Sequence, residues 1–258
     1  MRVFDPSTWS GHDVLVVAPH PDDEAFGPGG TVHLLARSGK AVLPLVVCRG
    51  DGGVTGDASW EDREDESRRG CRILGTEDPL FARIPSSEVN EDPRAAGRAL
   101  EQLLEGRSFD LVLVPSPLER HQTHRSCLTA MLLSGLGSDA VWMGYGCWDA
   151  IPAAADTFET DITDARRAKT GAMTAHDSQT RERGLAPGMS SRDLSQAVFS
   201  KVTGSEERRA VERFLDLSDL RATANEAVSD VASAQNHILK WLNEKTQAWS
   251  RELWGEGA

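Results

Sequence analysis

Five short apolar runs, Val14–Ala18, Val42–Cys48, Leu80–Arg83, Leu111–Val114 and Val141–Tyr145, recur along the chain with longer amphipathic or polar stretches between them. That alternation constrains the fold more than any other feature. Runs of four to eight aliphatic residues suit strands covered on both faces, and the intervening stretches are long enough for crossover helices. The pattern predicts helices over Thr31–Ser38, Glu61–Leu74, Pro93–Leu104 and His124–Leu133, the second stopped by Gly75 and the third opened by Pro93. Right-handed crossovers then give an α/β fold with a doubly wound, mostly parallel, Rossmann-like sheet and helices on both faces, over residues 1–218. From Ala222 to Trp254 there is neither Gly nor Pro, and Val228, Val231, Ile238, Leu242, Trp249 and Leu253 recur mostly three, four or seven residues apart. This predicts one long C-terminal amphipathic helix, an extension over 219–258 that packs on the domain or mediates a homo-oligomer contact.

Composition narrows the partners. The 258 residues include 40 acidic and 28 basic side chains, a net charge of −12, which repels phosphate backbones and anionic headgroups, so no nucleic-acid partner is expected. No apolar run approaches a membrane span, and residues 1–13 hold no apolar leader core. A cytoplasmic location is the expectation. Cys48, Cys71, Cys127 and Cys147 form no C-x-x-C pair, which fits buried reduced thiols better than a disulfide framework.

The first apolar run leads straight into His20-Pro21-Asp22-Asp23-Glu24, then Gly27-Pro28-Gly29-Gly30. In a doubly wound sheet this places a histidine and three acids just beyond a strand's carboxyl end, where ligands bind. A divalent cation would offset the repulsion among Asp22, Asp23 and Glu24. Imidazole beside carboxylate, with few thiols, points to zinc or another first-row ion. A hydrolytic site needs a third protein ligand and an open position for water. The fourth run supplies candidates, because Val112–Val114 is followed by a loop carrying His121 and His124.

HPDDE after the first strand, a Gly-rich turn, and His121-x-x-His124 after the fourth together resemble the PIG-L/LmbE-like family of zinc-dependent N-acetylglucosaminyl deacetylases. Arg49-Gly50-Asp51-Gly52-Gly53 is similar to the family's polar turn after strand two, and Arg63-x-x-Glu66 with Leu74-Gly75 to its R-x-x-E…L-G helix. Asp161-Ile162-Thr163, Lys169 and His176-x-Ser178-Gln179 resemble its D-I-T…K…H-x-S-Q segment. The likeness runs over roughly residues 13–180.

The resemblance implies metal binding by His20, Asp23 and His124, with Asp22 as general base and His121 stabilising charge or protonating the departing amine. It implies a Zn2+ cofactor, or another divalent first-row metal, and deacetylation of a small-molecule N-acetylated amino-sugar conjugate with release of acetate. Two positions depart from the family pattern. Gln122-Thr123 stand where an acid or amide commonly precedes the second histidine, and Glu119 stands where some members have a tyrosine. Trp142, Tyr145 and Trp148 are either sugar-stacking platforms or core aromatics. Arg63 either contacts substrate or pairs with Glu66 on its own helix. Two other readings of the acidic turn are a magnesium-dependent phosphohydrolase and a non-catalytic binding module on the same fold.

Overall fold

The computed structural model describes residues 1–50, 58–181, 185–198, 200 and 210–254, with the backbone alone at 225, 226, 253 and 254. Its strands are β1 (Arg2–Val3), β2 (Asp13–Ala18), β3 (Ala41–Cys48), β4 (Leu80–Ile84), β5 (Leu111–Pro115), β6 (Val141–Tyr145), β7 (Thr157–Asp161) and β8 (Val211–Asp216). Its helices are α1 (Asp23–Phe26), α2 (Gly29–Arg37), α3 (Trp60–Leu74), α4 (Ser86–Glu91), α5 (Pro93–Leu103), α6 (Gln122–Leu133), α7 (Arg166–Thr174), α8 (Asp177–Thr180), α9 (Leu185–Val198), α10 (Ser218–Ala227) and α11 (Val231–Trp254). The strands form one sheet in the order β1-β7-β8-β6-β5-β2-β3-β4. It is parallel except at β8, which runs antiparallel to both β6 and β7.

Helices cover both faces because alternate residues of each central strand feed opposite cores. Leu15 and Val17 of β2, with Val112 and Val114 of β5, join one cluster with residues of α5, α6, α10 and α11. Val14, Val16, Leu111 and Leu113 point the other way, into a cluster with residues of α1, α2, α3, α7 and α9. The period of two becomes a two-sided core, so these strands read as unbroken apolar runs.

Strands β7 and β8 escaped the sequence reading for a physical reason. Three of their charged residues, Glu159, Glu212 and Arg213, are buried: Glu159 lies opposite Arg213 in the register, and Arg213 Nε donates to Glu159 Oε1 at 2.6 Å. A compensated buried pair looks polar in sequence.

The continuous helix expected from Ala222 to Trp254 is corrected. The chain breaks at Val228–Asp230 and restarts, because Ser233 Oγ accepts from the backbone N–H groups of Ser229 and Asp230 while Asp230 Oδ1 accepts from Ser233 N–H. Such local bonds compete with the helical ladder. Trp241 and Trp249 of α11 lie buried in the cluster that also contains Val112 and Trp142. Among the described residues no helix is long and apolar enough to cross a membrane.

Candidate metal centre

Reading from β4 through β6, the sheet order places β2 beside both β3 and β5. The chain leaves β2 toward β3 on one side, while β5 lies on the other. This is a topological switch point, where the crossovers diverge and open a crevice above the strand ends. The turn after β2 carries His20, Asp22 and Asp23; the loop after β5 carries Glu119, His121 and His124. Residues about a hundred positions apart in the chain meet there. One ligand atom from each of His20, Asp23 and His124 lies within 4.8 Å of the others. His20 Nδ1 and His124 Nε2 both approach Asp23 Oδ2 at 3.2 Å, and Asp23 Oδ2 also accepts from His20 N–H at 2.9 Å.

The electrostatics of the three favour a cation. Burial alone would raise the carboxyl of Asp23, yet the imidazoles of His124 and His20 outweigh it and hold the group well below the usual carboxylate range. Burial likewise disfavours charge on His124, but Asp23 and Glu119 overcome it and push the imidazole up to about 10. A ring flanked by two buried carboxylates demands positive charge, which a proton or a divalent ion can supply. Both ring nitrogens of His124 are fully buried and neither is aligned for a hydrogen bond, although each lies at ion-pair distance from a carboxylate. An imidazole and carboxylate donor set with a buried, unaligned Nε2 at its centre fits a first-row divalent metal.

Asp22 sits beside this set. Its side chain retains 14% exposure, its φ of 157° is rarely adopted by an L-residue, and burial raises its carboxyl to about 7 against the opposing pull of Arg63. Arg63 is buried; its Nη2 donates to Asp22 Oδ2 at 3.1 Å and its Nη1 to Gly50 O at 2.8 Å. The expected Arg63–Glu66 pair is thus corrected, because each turns to a different segment. Glu66 accepts from Ser178 N–H at 2.8 Å and Ser178 Oγ at 2.6 Å, joining two motifs the sequence shows separately. Glu24, raised to about 7 by burial, accepts from Asp22 N–H at 3.0 Å and Ser67 Oγ at 2.7 Å. His176 Nε2 lies 3.5 Å from Glu24 Oε1. Lys169 braces the Gly-rich turn, donating to Gly27 O at 3.0 Å and Glu212 Oε1 at 2.7 Å, while Glu212 accepts from the N–H groups of Gly30 and Thr31 at the start of α2. A carboxylate at a helix N-terminus is favourable there. Asp51-Gly52-Gly53 lie outside the described residues.

His121 is exposed at the rim, its ring centroid 5.1 Å from that of His20 and 4.8 Å from that of His124. Burial, His20 and His124 together lower its pKa. Thr123 is buried and accepts from Asn90 at 3.3 Å, and among the described residues no carboxylate pairs with His121. The aromatic candidates separate. Trp142 is fully buried, with Nε1 donating to Gly137 O. Tyr145 is 1% exposed and donates its hydroxyl to Val17 O at 2.7 Å. Only Trp148 faces solvent, at 41%. Glu119, which the sequence marked only as a substitution, is a buried carboxylate whose Oε2 lies 3.1 Å from His124 Nδ1.

The chain from the start of β2 to the end of α6 holds His20, Asp22, Asp23, Glu119, His121 and His124, and residues 15–133 match the family described as PIG-L: GlcNAc-PI de-N-acetylase. Just under half of the chain thus resembles a PIG-L domain. A protein of Escherichia coli strain K12 named the uncharacterized deacetylase YaiS is 24% identical over 151 residues, 51% of this chain and 77% of that protein. The diacetylchitobiose deacetylase of Thermococcus kodakarensis is 32% identical over 120 residues, 43% of this chain, and the alignment spans 45% of the Thermococcus protein. The N,N'-diacetylchitobiose deacetylase of Pyrococcus horikoshii has a similar fold, with a TM-score of 0.64 and 20% identity over 80% of this chain and 85% of that one. The Asp161–Gln179 segment lies beyond the matched residues, yet it packs against them through Glu66, Ser178 and Lys169.

Proposed function

We propose that this protein is a metal-dependent hydrolase that removes the N-acetyl group from a small amino-sugar conjugate and releases acetate. The observation that carries the reading is the convergence of His20, Asp23 and His124 to within 4.8 Å at the switch point of the sheet. The PIG-L match and the named activities of its relatives support the substrate class. His20, Asp23 and His124 would hold the ion, zinc or another first-row metal. When bound, the ion supplies Lewis acidity for an amide carbonyl and lowers the pKa of a water.

The remaining steps belong to side chains. Asp22, adjacent in sequence to the ligand Asp23 and aimed by Arg63 at 3.1 Å, accepts the proton of the attacking water. A carboxyl raised to about 7 lies in the range where such a base is effective near neutral pH. His121, exposed at the rim, protonates the departing amine, which leaves poorly as an anion. Trp148 offers an exposed indole to a sugar face.

The test is zinc analysis of the purified protein combined with a panel of N-acetylglucosamine conjugates scored for acetate and new primary amine. Close to one zinc per chain with stoichiometric acetate and amine supports the proposal. Metal without acetate release from any conjugate would leave a binding module; magnesium with phosphate release would make the chain a phosphohydrolase.

A further inference from the structure

We infer that Glu119 is a positioning residue with two simultaneous tasks: Oε2 aims His124 at the metal, and Oε1 holds the backbone of residues 147–149, which presents Trp148. The inference rests on the metal-hydrolase reading and adds to it a direct mechanical link between the ion site and a substrate-facing loop.

Glu119 is 1% exposed. A carboxylate buried to that degree is costly unless its lone pairs are met. They are met asymmetrically. Oε1 accepts from Cys147 N–H at 2.6 Å, Trp148 N–H at 3.1 Å and Asp149 N–H at 3.3 Å. Oε2 faces His124 Nδ1 at the ion-pair distance of 3.1 Å and takes only a longer contact from the loop, Trp148 N–H at 3.4 Å. A histidine that binds metal through one nitrogen presents its other N–H to such a partner, which fixes both the tautomer and the ring orientation. With the hydrogen kept on Nδ1, the lone pair of Nε2 is directed to the side where Asp23 Oδ2 lies at 3.2 Å.

The loop on the other oxygen is held from three directions. Arg120, the next residue, donates Nε and Nη2 to Asp149 Oδ1 at 2.9 and 2.7 Å. Arg192 Nη1 donates to Gly146 O and Cys147 O, both at 2.7 Å. The turn admits only glycine at 146, where a Cβ would lie 2.1 Å from Asp149 O. Cys147 Sγ reaches Asp23 O at 3.8 Å, so the loop abuts the metal turn itself. Trp148 is the side chain this arrangement leaves exposed.

The two tasks separate by substitution. In Glu119→Gln the amide oxygen still accepts from the loop, but the amide NH2 faces His124. It would donate to Nδ1 and move the ring hydrogen to Nε2, the ligand atom. Glu119→Ala loses both functions. Trp148→Phe loses neither metal contact.

The experiment is zinc affinity by competition with a chromophoric chelator, with near-UV circular dichroism as a check on the fold. The expected result is native dichroism with an affinity 10–100-fold lower in Glu119→Gln, on the order seen when a partner behind a metal histidine is removed, and wild-type affinity in Trp148→Phe. If wild type binds zinc and Glu119→Gln matches it within twofold, the role of Glu119 is overturned while the hydrolase reading stands. If wild type binds no first-row ion, both fall together.

Discussion

Two fully buried histidines lie on opposite sides of the HPDDE turn, and their surroundings drive them in opposite directions. His124 has Asp23 and Glu119 at ion-pair distance, and they lift it to about 10 despite burial. His176 is also completely buried, with neither nitrogen hydrogen-bonded. Burial drives it down to about 3, with Arg63 and Arg69 adding to the effect, and the nearest acid, Glu24, is itself raised to about 7. Burial is common to both; the charge of the neighbours decides. One region is built around a positive charge and the other around neutrality, with consecutive acids, Asp23 and Glu24, facing one each.

The sharpest way to break this contrast is to remove each ring. His124→Ala is expected to purify without metal from zinc-containing medium, whereas His176→Gln keeps the wild-type zinc content by elemental analysis. Equal loss in both would merge the two regions into one site.

Asp22→Ala comes next. It should retain zinc while turnover of an N-acetylated amino sugar falls by a factor on the order of 100 or more, if Asp22 is the general base. Near-wild-type turnover would remove Asp22 from that role.

The neutrality of His176 predicts a pH effect on stability. The unfolded ring takes a proton below its ordinary 6.5, but the buried ring does so only near 3. The unfolded state therefore binds more protons across that window, and stability falls as pH drops through it. From pH 7 to pH 5 the loss due to this ring is roughly 1–2 kcal/mol. Urea unfolding of metal-free protein should show that much less pH dependence in His176→Gln than in wild type.

The smallest effect belongs to Glu24→Gln. A carboxyl raised to about 7 is half neutral at physiological pH. The amide can accept from Asp22 N–H with its oxygen and turn its NH2 toward Ser67 and His176. Stability should change by less than about 1 kcal/mol at pH 7, while Asp23→Asn abolishes zinc binding. A large loss in Glu24→Gln would show that Glu24 is charged and belongs with the metal side.

β2, β3, β5 and β6 were legible because strands covered on both faces read as nearly unbroken apolar runs, whereas β4, a half-buried edge strand, was legible only from its short apolar run. The stop of α3 and the start of α5 were equally local: Gly75 adopts a left-handed φ of 83° and Pro93 opens its helix, while the reciprocal cap of Ser59 and Asp62 at the start of α3 emerged only in the structure. The sequence did not reveal β7 and β8, three of whose charged residues, Glu159, Glu212 and Arg213, are buried. Nor did it show the break before α11, which depends on one serine accepting two backbone hydrogen bonds.

At the site, residue types near strand ends sufficed to nominate His20, Asp22, Asp23, His121 and His124. Their chemistry is carried by identity, and their position follows from the period of the strands they end. What each candidate touches was decided only in three dimensions. Arg63 reaches Asp22 rather than Glu66, Tyr145 spends its hydroxyl on Val17 O, and Glu119 stands behind His124. Local sequence determines backbone path and donor type. Pairing between segments far apart in the chain depends on which strands become neighbours, and that order is set by packing of the whole sheet.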